Sequence, residues 1–339
     1  MLDGLTVGSN STPSRQSNAS FSGVGNKMNG FAAFEGGFTL QDINTTCSFD
    51  SIFPVSGVVD MNRGLLYLFQ DLIFDKGILL IGLGSIYGSD YLVDVSSSVT
   101  AFTAGDTSSD PIVLDNLIIG LHGDIAWQLP VTIQGNCSIN GMGSKVTMEG
   151  VGGITVAAGG QLTLSNVKIA GLSGSNFVCV ADTASVVVLN SSLCLDNDLT
   201  FANGSFLFEG DAVLSGTNKL NYTSDSASTI ASNATLHIGP GATFYYAPSA
   251  ANRDLLAMTD ETSRLYLDGC TLLTTATGLR LTKGRVFIDN NVTFSCDGTV
   301  PSESICFGDG TVSSNDVEVT WLSGAMLNVY GGFHENNVG

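Results

Sequence analysis

Short runs of alternating apolar and polar residues fill the middle of the chain, and residues 131–171 hold the plainest of them. Val131-Thr132-Ile133, Lys145-Val146-Thr147-Met148, Ile154-Thr155-Val156 and Leu162-Thr163-Leu164 are each stopped by Gly, Asn or a Gly-Gly pair. Alternation with period two puts the apolar side chains on one face of a strand, and the stops mark turns. Three or four such strands, with no helix or long hairpin between them, make one coil of a parallel β-helix at roughly 20 to 30 residues per coil. The stretch then holds nearly two coils. Helical periodicity is nowhere sustained beyond about two turns, which predicts low helix content.

A repeat runs through the chain: a small residue, then apolar residues at its second and fourth following positions, a short polar link, and an apolar residue again. Copies begin at Gly64, Gly160, Ala184, Gly204, Ala234, Ser263 and Gly284. From Gly160 the starts lie 24, 20, 30, 29 and 21 residues apart, which predicts coils of similar length with loops of variable size. A second repeat pairs residues 21–30 with 133–141. Each is followed by a Gly-Gly pair and a strand, Gly36-Gly37-Phe38-Thr39-Leu40 and Gly152-Gly153-Ile154-Thr155-Val156, so the arrangement is expected to start twice. Asn, Asp and Gly between the apolar runs supply the left-handed residue that a sharp corner needs. Asn in successive corners can also stack into a hydrogen-bonded ladder.

These signals predict a flexible Ser/Asn-rich leader over residues 1–20 and one continuous all-β domain, a parallel β-helix, over 21–339. Within it, 75–130 is less regular, and 245–262, with Pro248, Asp254, Asp260 and Glu261, reads as a loop leaving the coil. The tail from Val329 to Gly339 carries no evident cap. Right-handed winding is expected from the crossover preference of parallel strands.

Composition fits. Charged residues make up 13% of the 339, against about 25% in an ordinary domain, and Ser, Thr, Asn and 41 Gly take their place. Apolar content of 43% is too high for disorder. A solenoid core grows along an axis, so the chain need not split as long chains usually do. Twelve Lys and Arg against 31 Asp and Glu give a net charge of −19, which argues against nucleic acid and anionic membranes as partners. Arg253, Arg264, Arg280, Lys283 and Arg285 crowd one late segment and read as a solvated strand face. The apolar segment 65–81 is broken by Asp71, Asp75 and Lys76, so no membrane insertion is expected. Met1-Leu2-Asp3-Gly4 does not read as a secretory signal.

Candidate chemistry is sparse. Seven cysteines include no CxxC pair, so a zinc site is not expected and buried free thiols are. Cys296 and Cys306 flank a turn-rich loop and are placed to close it. No GxxxxGK[ST], GxSxG, EF-hand or RTX nonapeptide occurs, so no cofactor or metal is expected. His122, His237 and His334 stand far apart, and nine Asn-x-Ser/Thr sequons are near the chance number for so Ser/Thr-rich a chain. The candidate catalytic residues are Asp196 and Asp198, a carboxylate pair at a corner that could serve glycan cleavage as acid and base. Turn chemistry alone also accounts for them, and Trp127 and Trp321 are remote in sequence from that corner. A polysaccharide-active lyase or hydrolase is therefore the alternative reading rather than the expected one.

Residues 133–172 and the later repeats resemble the right-handed parallel β-helix, pectin-lyase-like superfamily, in style over about 20–330. More narrowly, the chain resembles repetitive bacterial surface proteins, namely autotransporter passenger domains and the polymorphic outer-membrane proteins of intracellular bacteria. Gly36-Gly37, Gly152-Gly153 and Phe287-Ile288-Asp289-Asn290 are similar to the GGAI and FxxN repeats of that last family, although FxxN is not repeated here and no terminal barrel follows. No lyase or hydrolase motif is matched. The resemblance implies display, adhesion or assembly outside the cell, and with no convergent acid, base or nucleophile set beside the repeats the expected function is that of a non-catalytic structural or adhesive protein at the cell surface or outside the cell. Self-association, end to end into a filament, is expected from the unpaired strands that an open β-helix leaves in its first and last coils, and the expected partner besides is a host-surface or glycan ligand.

Overall fold

In strand Leu65–Leu68, Leu66 and Leu68 are buried while Leu65 and Tyr67 are half-buried. The same in-out alternation recurs in Ile112–Asp115, Lys145–Met148, Thr235–Ile238 and Thr271–Thr274. The computed structural model describes residues 64–74, 84–99, 111–250, 252–297 and 304–338 with their side chains. It also describes the backbone of strands within 1–63, of 75–81 and of 100–103. The chain is an all-β parallel β-solenoid of about ten turns. Among the described residues its one helical element is a 3-10 turn at Ser313–Asn315. The leader expected over residues 1–20 lies mostly outside the described residues. Two compact units are distinguished, residues 1–168 and 169–339.

In the first unit, one ladder runs through Thr6–Val7, Asn26–Met28, Thr46–Phe49, Leu65–Leu68, Gly84–Tyr87, Ile112–Asp115, Pro130–Gln134 and Gly153–Val156. A second face carries the start of Leu72–Ile81, the start of Leu92–Thr103, then Ile118–Leu121, Asn136–Asn140 and Gln161–Ser165. The far halves of the two long strands turn onto a third face through register shifts at Phe74/Lys76 and Gly77/Ile78, and that face continues in Ile125–Trp127 and Lys145–Met148.

The second unit repeats the three-faced plan. Its first face stacks Ser185–Leu189, Ser205–Glu209, Ser228–Ile230 and Leu256–Met258. The second stacks the start of Ser192–Phe201 on Asp211–Gly216, Thr235–Ile238, Arg264–Asp268, Arg285–Asp289 and Glu318–Trp321. The third stacks the end of Ser192–Phe201 on Lys219–Tyr222, Thr243–Tyr246, Thr271–Thr274, Asn291–Cys296 and Met326–Tyr330. Leu279–Leu281, Ile305–Phe307 and Phe333–Glu335 form a separate ladder. Coil length varies widely: Ile112 lies over Val131, 19 residues on, whereas Asn291 lies over Met326, 35 residues on.

The sequence repeat marks a corner, not a coil. In the second unit the copies at Ala184 and Gly204 stack, Ser185 over Ser205. The copies at Ala234, Ser263 and Gly284 also stack, Thr235 over Arg264 over Arg285. The Gly204 and Ala234 copies do not. Strand Ser205–Glu209 pairs with Ser228–Ile230, and it is the second strand of the Gly204 copy that lies against the first strand of the Ala234 copy, Val213 over His237. The spacing of 30 therefore joins two different corners. In the first unit the Gly64 copy likewise starts one face before the Gly160 copy. The repeat pairing residues 21–30 with 133–141 is shifted in the same way: Pro130–Gln134 belongs to the eight-strand ladder, whereas Ala19–Ser22 pairs with Gly37–Leu40 outside it.

The corners use left-handed residues. Asn116, Asn166, Asn190 and Asn290 have φ of 49°, 50°, 47° and 51°. Gly135 and Gly210 take the same conformation at 58° and 57° in corners that follow Asn116 and Asn190. Inside the second unit, aromatic rings continue the stack: Phe201 lies 4.0 Å from Phe206, and Tyr222 lies 5.9 Å from Tyr246 at an interplanar angle of 7°. Such pairs contribute about 0.5–1.5 kcal/mol beyond their burial. Both phenols are satisfied. Tyr222 reaches the Ser226 carbonyl and Ser228 Oγ, and Tyr246 donates to the Asn252 carbonyl while accepting the Leu255 N–H at 2.9 Å. The long excursion after Tyr246 is tied down by Asp225, which accepts from Ser249 Oγ and the Ala250 N–H. A two-point contact of Arg280 with Asp254 holds it further on.

None of the described cysteines is in a disulfide. Cys137, Cys179, Cys270 and Cys306 are buried, and Cys194 and Cys296 are half-buried. Cys296 and Cys306, expected to close the loop between them, are not joined in a disulfide, and the Cys306 thiol lies in the interior 3.4 Å from the Gly308 carbonyl. Cys47 lies outside the residues described with side chains.

Candidate functional site

Asp196, Asn197 and Asp198 are the three exposed residues at which strand Ser192–Phe201 turns from the second face to the third. Asp198 Oδ1 accepts the backbone N–H of Lys219 in the next coil at 2.9 Å, and its Oδ2 stands 3.9 Å from Lys219 Nζ. Asp71 and Asp124 do the same in the first unit, accepting the N–H of Leu92 at 2.9 Å and of Lys145 at 2.8 Å. Asp198 thus holds the first residue of a following strand in place. Asp196 Oδ1 is 3.8 Å from Cys194 Sγ. Trp127 is wholly buried within the first unit, and Trp321 is exposed on strand Glu318–Trp321.

The three histidines lie apart. His122 Nε2 is 2.7 Å from Asp94 Oδ1, and His334 is exposed in strand Phe333–Glu335. His237 lines an open notch of about 360 Å³ on the second face of the second unit, together with Asp211, Val213, Thr235, Tyr266 and Asp268. Stacking dictates the arrangement: outward positions fall in register, so Val213, His237, Tyr266 and Phe287 form one column along the face. The rings of His237 and Tyr266 meet edge to face at 4.8 Å, and Tyr266 and Phe287 stack at 6.0 Å. Val213, small and preceded in register by the small Ser192, leaves the notch where the rings begin.

Carboxylates edge this column. Tyr266 OH donates to Asp289 Oδ2 at 2.7 Å, and Asp268 Oδ1 accepts from Asn290 Nδ2 at 2.6 Å. Accepting the phenol proton's bond, Asp289 pushes Tyr266 up to about 12, helped by burial and then by the charges of Asp289 and Asp268. His237 Nε2 is shielded from solvent and has no hydrogen-bond partner. The nearest charge is Asp268 Oδ2 at 3.6 Å. The Asp211 carboxylate, exposed at the lower edge, has no partner among the described residues.

Sequence reasoning took His237 singly and missed the column. The signal lay in the repeat: Leu236-His237-Ile238, Leu265-Tyr266-Leu267 and Val286-Phe287-Ile288 each put a ring at the outward position of three stacked copies. Other acids serve the turns. Asp260 is held below the usual carboxylate range by bonds from Ser232 and Thr262, and Asp225 by Ser249 and Ala250. Among the described residues no three His, Cys, Asp or Glu side chains converge as a metal site, and no helix is long and apolar enough to cross a membrane. No family model, curated protein or solved structure matches the chain.

Proposed function

We propose that the chain is a non-catalytic structural or adhesive β-solenoid, displayed at the cell surface or outside the cell, of the right-handed pectin-lyase-like kind. One observation carries the reading. Carboxylates and carboxamides at the corners, Asp198 of the candidate pair among them, are spent on holding one coil to the next, as Asp71, Asp124, Asn116 and Asn190 are. The low-relief face that results suits display and contact over a broad area. Incubation with a panel of acidic and neutral glycans tests this. No oligosaccharide should be released. Release that disappears in Asp196→Ala or Asp198→Ala would replace the reading with a glycan depolymerase.

Association along the solenoid axis belongs to the same proposal. Strands Glu318–Trp321 and Met326–Tyr330 have a strand neighbour on one side among the described residues, and Trp321, Met326, Val329 and Tyr330 are exposed there. Unpaired strand edges with apolar side chains favour addition of another strand array. A net charge of −19 opposes close approach, so higher ionic strength or divalent cations should promote it. Electron microscopy across a salt and calcium series checks this, and monomer-sized particles under every condition would exclude it.

A further inference from the structure

We infer that the notch over Val213 binds one neutral pyranose unit of a glycan, and this deepens the adhesive reading on which it rests. The shape comes first. Its volume of about 360 Å³ equals roughly a dozen waters at ~30 Å³ each, room for one sugar ring together with the waters around it. Its floor is the apolar side chain of Val213, and its wall is the His237 and Tyr266 rings. An apolar base suits the C–H face of a pyranose.

The polar edge supplies what the ring's hydroxyls need. A sugar hydroxyl both donates and accepts, so a matching site offers both partners. Acceptors are the carboxylates of Asp211 and Asp268. Thr235 Oγ1 both donates and accepts, whereas His237 Nε2, shielded from solvent and 3.6 Å from Asp268 Oδ2, leaves only its ring to the wall. Arg264, exposed one coil beyond Thr235, adds a donor at the rim. Two carboxylates, with no Lys or Arg in the lining itself, disfavour an acidic sugar by like-charge repulsion. Asp268 is already held by Asn290, and Arg264 stands at the rim, so the site is less suited to an organic cation than two free carboxylates would be.

Saturation-transfer NMR on the full chain tests this with methyl hexopyranosides, glucuronate and spermidine as separate probes. At least one neutral pyranoside should receive saturation, and glucuronate and spermidine should not. Val213→Trp, which fills the floor, should weaken binding tenfold or more. Asp211→Asn keeps an acceptor and should change it by no more than a few-fold, whereas a bound cation would be lost in that variant. If Val213→Trp does not fold by circular dichroism, Thr235→Arg at the rim serves as the blocking variant. Silence from every neutral sugar, binding that survives the blocking variant, or transfer to spermidine that Asp211→Asn abolishes would overturn the inference. The two readings fail separately: silence leaves the display reading standing, and release of oligosaccharide sinks that reading without touching the notch.

Discussion

Asn190 Oδ1 accepts the backbone N–H of Asp211 at 3.0 Å, reaching across one coil over Gly210. A Cβ on Gly210 would lie 2.0 Å from that same oxygen, so the glycine is the space the asparagine side chain occupies. Asn116 and Gly135 repeat the relationship at a different corner in the first unit. There Asn116 Oδ1 accepts the Asn136 N–H at 3.0 Å, and a Gly135 Cβ would come within 2.4 Å of it.

Gly210→Ala should therefore destabilise through two causes at once. The left-handed backbone alone costs about 1–3 kcal/mol for a residue with a side chain, and the overlap with Asn190 adds to it. Asn190→Gly removes the overlap but not the backbone strain. Denaturant unfolding of the single and double variants should show that the two changes are not additive, with the double less damaged than the sum. Additive losses would mean the two residues do not meet.

Asp198→Ala should behave as a loss of structure, not of chemistry. It leaves the Lys219 N–H without its partner and should cost about 0.5–1.5 kcal/mol, as for an ordinary hydrogen bond. Asp124→Ala, in the equivalent role in the first unit, should cost a similar amount. Unfolding midpoints of the two variants, measured side by side, check the parallel.

Tyr246→Phe removes the acceptor for the Leu255 N–H as well as the donor to Asn252. The ring and its stack on Tyr222 are kept, so the loss isolates the buried polar pair. A cost of about 1–3 kcal/mol is expected, the penalty for a stranded buried donor. Hydrogen exchange at Leu255, fast in the variant and slow in the parent, reports the same event locally.

Tyr266 should titrate at about 12 in a spectrophotometric scan. Folding favours its neutral form, so the stability it contributes is complete below its ordinary value of 10.0 and is lost as pH rises through about 12. Asp289→Asn takes away the charge and should bring the titration back toward 10. No change on that substitution would mean burial, and not Asp289, sets the value.

Alkylation at mildly alkaline pH should separate the thiols. Burial pushes Cys137 up to about 11 and Cys179 and Cys270 to about 12, so these stay as protected thiols. Cys194 and Cys296, half-buried, should be modified first in the native protein. Mass spectrometry of peptides after a timed pulse gives the order.

Alternation made the strands and the parallel coils legible, because a period of two fixes which side chains face in whatever the winding. Asn and Gly at the corners were legible for a related reason: only they take the left-handed turn cheaply. Stacking was not. Whether the Gly204 and Ala234 copies lie over one another depends on how many corners separate them, and residue spacing does not count corners when coil length varies so much. The notch escaped for that reason. His237, Tyr266 and Phe287 are 29 and 21 residues apart in the sequence and become neighbours only through register. Asp196 and Asp198 were singled out by a two-residue spacing, which says nothing of the Lys219 amide a whole coil away.

Because the recurring element is a strand, a bend and a strand, the chain can be lengthened by pieces smaller than a full circuit. Inserting one such piece rotates everything after it to the next side of the prism, yet every inward side chain remains inward, since parity along the strand is untouched. The outward columns are what such an insertion breaks. A column of rings like the one beside the notch can persist only where successive copies bend at the same side, as those at Ala234, Ser263 and Gly284 do. Surface chemistry along this protein is therefore written in blocks, each beginning where the frame was last displaced.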